Sequence, residues 1–225
     1  MTGCGRKLGP YDCCTVIQGD CLELMKALPS GCVDAVITDP PYGVGLSYAN
    51  HDDGREGYRH FVGSAFLQMR RISNFIAITP GIRNLWLYPE ANWVVCWAKP
   101  NSMGRSDMGG FNQWEPICIY GKHKMYHDFF YLPMCGQPDT GNHPCPKPYE
   151  LLHWLIRKAT DEGVTILDPF LGSGTTAVAA KKLGRHFLGF EISETYCQIA
   201  RERIALVDMQ PSLFQPQPEQ AKIFT

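Results

Sequence analysis

The chain has 225 residues, is 44% hydrophobic and 19% charged, and carries a formal net charge of -1. That fits one α/β domain or two small ones with a sizeable core, and it excludes a polycation. No apolar run is long enough to span a bilayer and no charged-then-apolar leader opens the chain, so a cytoplasmic protein is expected.

Residues 1–10 are glycine-rich and expected to be loose. Residues 14–18 read as a strand, and Asp20 caps a short helix that runs through Leu28 to the breaker Pro29-Ser30-Gly31. Residues 33–38 are an apolar, β-branched run that ends abruptly at Asp39-Pro40-Pro41-Tyr42. Neither proline can donate to a ladder, and each fixes its own φ. Strand, helix and strand make a β-α-β unit with parallel strands. Residues 43–57 lack periodicity, so either a substrate-gripping flap or disorder is expected. A helix follows from about Tyr58 to Arg71, with Phe61, Ala65, Phe66 and Met69 at helical spacing.

Strands at residues 75–79 and 93–97 flank a short piece opened by Pro80-Gly81. Residues 100–148 are rich in Gly, Pro, Asn, His and aromatics, with one strand from Glu115 to Tyr120 and an extended stretch near Phe129 to Leu132. A helix from Tyr149 to about Thr160 precedes a buried-type strand, residues 164–167. A glycine loop, a helix to Leu183, a strand at residues 186–191 and a helix capped by Ser193 to about Val207 complete the pattern. The Pro/Gln tail, residues 208–225, is expected to be flexible.

Ten cysteines suggest a disulfide framework, but several sit in apolar stretches and no C-x-x-C pair occurs. Cys4, Cys13 and Cys14 could form part of a zinc site, but a fourth ligand at finger-like spacing is missing, so no metal is expected.

Two stretches carry chemistry. Asp39-Pro40-Pro41-Tyr42 holds a carboxylate, a carbonyl and an aromatic ring at a strand's C-terminal end, where ligands of open α/β sheets bind. A strand-ending turn with a backbone-bonded Asp is the plain alternative. The second stretch runs from Asp168 through Phe170, Gly172, Ser173, Gly174 and Thr175 into a helix, and Glu191 ends the next strand. Gly174 lacks the following lysine of a Walker loop. Gly172, Gly174 and Ala177 formally match a dinucleotide fingerprint, but Asp168 would repel a pyrophosphate. An adenosyl ligand bearing an ammonium and a sulfonium suits that acid better. A valine at Gly174 is expected to fill space beside the loop and block that ligand.

With these residues in place, the chain resembles the amino methyltransferases of DNA, permuted β class. Asp39-Pro40-Pro41-Tyr42 is similar to their catalytic motif, and Asp168 to Thr176 to their cofactor loop. Gly189-Phe190-Glu191 resembles the ribose-binding strand end, and Gly19-Asp20-Cys21 the adenine-holding segment. His143-Pro144-x-Pro146-Lys147-Pro148 resembles a stretch near the methionine end of the cofactor. Trp97-x-Lys99-Pro100-Asn101, Trp114-Glu115 and Tyr120-Gly121-Lys122 also look like family segments.

The resemblance implies a Rossmann-like methyltransferase fold of class α/β, with a mostly parallel central sheet, helices on both faces and a permuted motif order. It implies S-adenosyl-L-methionine as cofactor, held by Asp20, Cys21, His143, Lys147, Asp168, Phe170, Gly172, Ser173, Gly174, Thr175, Glu191 and Ile192. Asp39 and the Pro40 carbonyl would accept the hydrogens of an exocyclic base amine, with Pro41 stiffening the turn and Tyr42 stacking on a flipped base. Asp at position 39 points to N6 of adenine, with N4 of cytosine as the alternative. A non-catalytic S-adenosylmethionine-binding module is the other reading. Cys145 after Pro144 is taken as incidental, not as a nucleophile.

The chain is thus expected to be a single domain, residues 1–225. It comprises a catalytic half (11–99), a small target-recognition insertion (100–141), a cofactor half (142–207) and a tail (208–225). DNA is the expected partner, with Arg55, Arg59, Lys99, Arg105, Lys122 and Lys124 as phosphate-binding candidates. So small a target region fits a homodimer, in which a second subunit would widen the DNA surface.

Overall fold

A computed structural model of the chain describes residues 4–42, 55–100, 102, 110–122, 125, 127–133 and 147–209. A hairpin of β1 (Lys7–Leu8) and β2 (Tyr11–Asp12) comes first. The expected loose N-terminus therefore does not hold from Cys4 onward. Leu8 is buried, and Arg6 Nη1 donates to Thr165 Oγ1 at 2.8 Å, so glycines that read as slack serve the turns of a packed hairpin.

The remaining elements follow the expected order. They are β3 (Thr15–Gln18), α1 (Cys21–Lys26), β4 (Ala35–Thr38), α2 (Arg55–Ile72), β5 (Ile76–Ile78) and α3 (Gly81–Asn84), which a 3-10 turn, Leu85–Leu87, extends. Next come β6 (Trp93–Ala98), β7 (Trp114–Tyr120), β8 (Phe129–Tyr131), α4 (Tyr149–Ala159), β9 (Thr165–Asp168), α5 (Thr175–Lys182), β10 (His186–Glu191) and α6 (Glu194–Met209). Asp20 caps α1, accepting from Leu22 N at 2.7 Å and Glu23 N at 3.3 Å.

One eight-stranded sheet has the order β3-β10-β9-β4-β5-β7-β6-β8. The five strands from β3 to β5 run parallel, and β7 is antiparallel to both of its neighbours. β3 and β4 are parallel, as the β-α-β reading requires, but β10 and β9 lie between them. A crossover sets strand direction and hand, not adjacency. β9 and the centre of β10 are buried on both faces and lie inside the sheet, between β3 and β4.

Period-2 alternation divides the core into two layers. Ile37, Ala77, Ile166 and Phe187 face α4, α5 and α6 through Leu151, Leu155, Ala179 and Ala200. Val36, Ile76, Leu167 and Leu188 face α1 and α2 through Met25, Val62, Phe66 and Met69. The chain leaves β4 through α2 toward β5, and leaves β9 through α5 toward β10 on the other side. β4 and β9 are therefore the switch point, and a crevice opens beyond their C-terminal ends. No helix of the described residues is long and apolar enough to cross a membrane.

Candidate active site

Both chemistry-bearing turns leave that switch point. Thr38, the last residue of β4, donates from Oγ1 to Asp168 Oδ1 at 2.6 Å, so the two strand ends are tied side by side. Asp168 also accepts from Phe170 N at 3.0 Å. Burial pushes its carboxyl up to about 6, against the opposing pull of the Thr176, Thr38 and Phe170 hydrogen bonds.

Asp39 sits in a cage of donors. Its Oδ1 accepts from Tyr42 Oη at 2.8 Å and Thr79 Oγ1 at 2.5 Å, and Lys147 Nζ lies 3.4 Å away. Lys147 also donates to Tyr42 Oη, and to Glu115 Oε2 at 3.1 Å, and lies 4.8 Å from the Tyr42 ring centroid. Burial alone would lower the Lys147 pKa, but Asp39, Tyr42 and Glu115 outweigh it and hold the ammonium well above its usual range. Burial likewise raises Glu115, and Lys147 and Lys99 reverse that to a net lowering. The turn is braced from outside. Tyr58 Oη donates to the Pro41 carbonyl at 2.5 Å, and Asn84 Nδ2 to the Tyr42 carbonyl at 3.0 Å. Pro40 is buried, and its carbonyl receives no hydrogen bond among the described residues.

The glycine loop is shaped by close packing. Gly172 and Gly174 have φ of +55° and +89°, and a Cβ at Gly174 would come within 2.8 Å of the Ala200 Cβ. The space that a valine was expected to fill is thus already occupied by α6. Arg203 of α6 clasps the loop, donating from Nη1 to Ser173 O at 2.6 Å and Ser173 Oγ at 2.8 Å. Glu191, at the end of β10, accepts from Gly172 N through Oε2 at 2.8 Å and from Ser193 N through Oε1 at 2.9 Å. Gly19 N donates to the Glu191 carbonyl at 2.9 Å, which brings Asp20 and Cys21 beside that acid. Thr175 and Ser173 are buried, Ile192 is half-buried, and the Phe170 ring meets Phe61 edge-on at 5.8 Å.

The structure thus brings Asp39, Pro40, Pro41, Tyr42 and Lys147 together on one side, with Asp168, the glycine loop and Glu191 beside them. One expectation gains a detail and another changes. Tyr42, expected to stack on a base, also donates its hydroxyl to Asp39, because the turn places the two side chains within hydrogen-bond reach. Lys99, expected on the DNA surface, is 8% exposed, bonds Glu115, and lies 5.3 Å from the Trp97 ring centroid. A buried carboxylate recruits a nearby cation, and that pairing takes Lys99 off the surface. Arg59 and Lys122 are exposed. His143, Arg105 and Lys124 lie outside the described residues, as do the Arg55 side chain and most of the expected flap.

Thr38, Thr79, Tyr58, Asn84 and Arg203 had no motif to reveal them. Thr79 reaches Asp39 because β5 pairs with β4, with Ile78 opposite Thr38, a relation visible only once strand order is known. The indole Nε1 of buried Trp97 finds no hydrogen-bond partner among the described residues.

Comparison with known proteins agrees with this geometry. A DNA methylase family model, N6_N4_Mtase, matches residues 135–202, which hold Lys147, the glycine loop and Glu191. YubD of Escherichia coli (strain K12), named as a methylase, is 29% identical over 216 residues, covering 85% of this chain and 90% of YubD. The crystal structure of the M1.HpyAVI–SAM complex superposes with a TM-score of 0.65 at 22% identity, covering 84% of this chain and 98% of that one. PvuII DNA methyltransferase, cytosine-N4-specific, has a TM-score of 0.68 at 15% identity, covering 89% of this chain and 87% of that one. The structural likenesses establish the Rossmann-like methyltransferase fold. The matched segment and the similarity along YubD make the chain similar to N6-adenine/N4-cytosine DNA methylases.

Proposed function

We propose that the protein methylates DNA, moving a methyl group from S-adenosylmethionine to the exocyclic N6 of an adenine flipped out of the duplex. The Thr38–Asp168 hydrogen bond of 2.6 Å carries this reading, because it holds the Asp39 turn against the glycine loop. A base held on one turn would lie next to a cofactor held on the other.

The residues present fit the cofactor. The two Glu191 oxygens are oriented by backbone N–H groups and keep lone pairs for ribose hydroxyls. The Asp168 carboxylate suits the cofactor's positive charge, and Asp20, as the α1 cap, fixes the segment beside Glu191. S-adenosylmethionine, when bound, supplies a methyl group activated by its sulfonium.

The chain's own task is to make a poor nucleophile better. The amine's lone pair is delocalised into the base ring. Asp39 and the Pro40 carbonyl accept hydrogen bonds from its two N–H groups and favour the tetrahedral nitrogen, which gives up one proton once the methyl has left the sulfonium. Positive charge develops there during attack, so preorganised acceptors act mainly on the transition state. The amine replaces the Tyr42 hydroxyl on Asp39, which frees the ring to stack. Flipping costs a few kcal/mol, and stacking returns about 1–3 kcal/mol per base.

Asp rather than Ser at position 39 supports adenine over cytosine, through the family resemblance. A homodimer in the cytoplasm completes the proposal. Exposed Trp114, Phe129 and Tyr131 near the β8 edge of the sheet support a second subunit there. Light scattering on the purified chain tests that point. The central test incubates the protein with labelled cofactor and unmethylated DNA and identifies the methylated nucleoside by mass spectrometry, with RNA and protein acceptors in parallel. N6-methyladenine is expected. N4-methylcytosine would move the assignment to cytosine, and no product on any acceptor would leave only a binding module.

A further inference from the structure

The cysteines that local spacing left one ligand short acquire a fourth partner from the neighbouring strand β10, 172 residues along the chain from Cys14. The Sγ atoms of Cys4, Cys13 and Cys14 and a ring nitrogen of His186 lie within 4.8 Å of one another. We propose that these four residues form a tetrahedral zinc site that fastens the N-terminal hairpin to the sheet.

Two neighbouring distances already match such a site. Cys13 Sγ lies 3.8 Å from Cys14 Sγ, and Cys14 Sγ lies 3.6 Å from His186 Nδ1. With Zn–S near 2.3 Å and Zn–N near 2.05 Å, tetrahedral angles place two sulfurs about 3.8 Å apart, and sulfur and nitrogen about 3.6 Å apart.

The backbone is arranged for this. Successive residues of an extended strand point to opposite faces, which would separate Cys13 from Cys14. Cys14 instead has a φ of +63°, and among the described residues it is the one non-glycine with positive φ. A left-handed cysteine is uncommon, and such conformations persist where the surroundings require them. Here the kink turns both thiols toward His186. Cys14 N donates to Phe187 O at 2.7 Å, and Cys13 N to Arg6 O at 2.9 Å, so the segment is pinned to β10 on one side and to the hairpin strand approach on the other. Cys4, the exposed member, closes the set from before the hairpin.

The site is structural. All four positions are protein ligands, which closes the coordination sphere. His186 begins β10 and Glu191 ends it, so the cluster lies roughly 17 Å from the crevice at about 3.3 Å per residue. The hairpin is too short to hold itself, and a metal staple supplies what its core cannot.

The test uses the whole chain, purified reduced and metal-free, and titrated with Co²⁺. One equivalent should bind with thiolate-to-cobalt charge-transfer absorption and intense tetrahedral visible bands, and Zn²⁺ should displace it. Zn²⁺ should raise Tm and a chelator reverse the rise. His186→Ala and Cys14→Ser should lose more affinity than the about 10–100-fold that changes around a metal's ligands cost, while Cys32→Ser keeps the wild-type spectrum. Absence of thiolate–cobalt bands in the reduced wild type would overturn the proposal, and that measurement needs no variant to fold. So would full retention of the bands in both ligand variants, or a Cys13–Cys14 disulfide that survives reduction and excludes the metal.

Discussion

The Tyr42 hydroxyl donates to the Asp39 carboxylate at 2.8 Å, two members of one rigid turn joined across its two prolines. Lys147 reaches both, so the acceptor proposed for the amine already carries an ordered set of donors. On that proposal, the amine enters by an exchange of hydrogen bonds, which avoids desolvating a bare carboxylate.

Separating the two residues' roles gives the first prediction. Asp39→Ala should lower kcat by at least about 10²–10³-fold, the scale of losing one preorganised electrostatic partner. Cofactor affinity, measured by calorimetry, should stay within about threefold of wild type. Tyr42→Phe removes the competing hydroxyl but keeps the ring, so its kcat should stay within about tenfold. Tyr42→Ala should lose a further about 1–3 kcal/mol of base stacking. Comparable methylation by Asp39→Ala would refute the assignment of the turn.

Asp168 predicts a pH dependence. Its folded pKa, about 6, lies above the ordinary 3.8, so the folded state binds its proton more readily than the unfolded state. This group's contribution to stability is fully present below about pH 4 and is lost as pH rises through about 6. The full difference is about 3 kcal/mol, an upper bound. Asp168→Asn should therefore match or exceed wild-type Tm near pH 8, with the advantage disappearing toward about pH 4. The same variant should bind S-adenosylmethionine more weakly. Parallel melting curves whose difference ignores pH would show that Asp168 does not carry this linkage.

Gly174→Ala tests the loop's packing. Its Cβ would meet Ala200 at 2.8 Å on a backbone with φ of +89°. We expect a stability loss of about 1–3 kcal/mol in urea titrations. Measured against Ala200→Gly alone, which carries glycine's helix cost of about 1 kcal/mol, the Gly174→Ala loss should shrink, because the 2.8 Å contact with the Ala200 Cβ is gone while its Cα at 3.0 Å and the backbone strain stay. An unchanged Gly174→Ala loss in the Ala200→Gly background would show that the Ala200 Cβ contributes nothing to the cost.

Salt dependence separates surface cations from buried ones. Arg59→Ala and Lys122→Ala should each reduce the slope of log affinity for DNA against log salt by about 0.9 if they contact a phosphate. Lys99→Met should leave the slope unchanged and instead cost stability, because it strips one partner from the buried Glu115 carboxylate. A lower slope in Lys99→Met would return that residue to the DNA surface.

Local sequence determined a great deal here. Strand and helix positions followed from apolar periodicity, and the two prolines after Thr38, the Asp20 cap and the glycines before α5 act within a few residues of themselves. These are short-range effects, so a linear reading captures them. Strand order is different. β9 and β10 come between β3 and β4, and no local pattern encodes that insertion. Every relation that depended on it became visible only in three dimensions. Thr38 meets Asp168 130 residues away, Lys147 meets Tyr42 across 105, and His186 meets Cys14 across 172. Tertiary structure also placed Lys99 inside, because a charge's position is set by its partner and not by its neighbours in sequence.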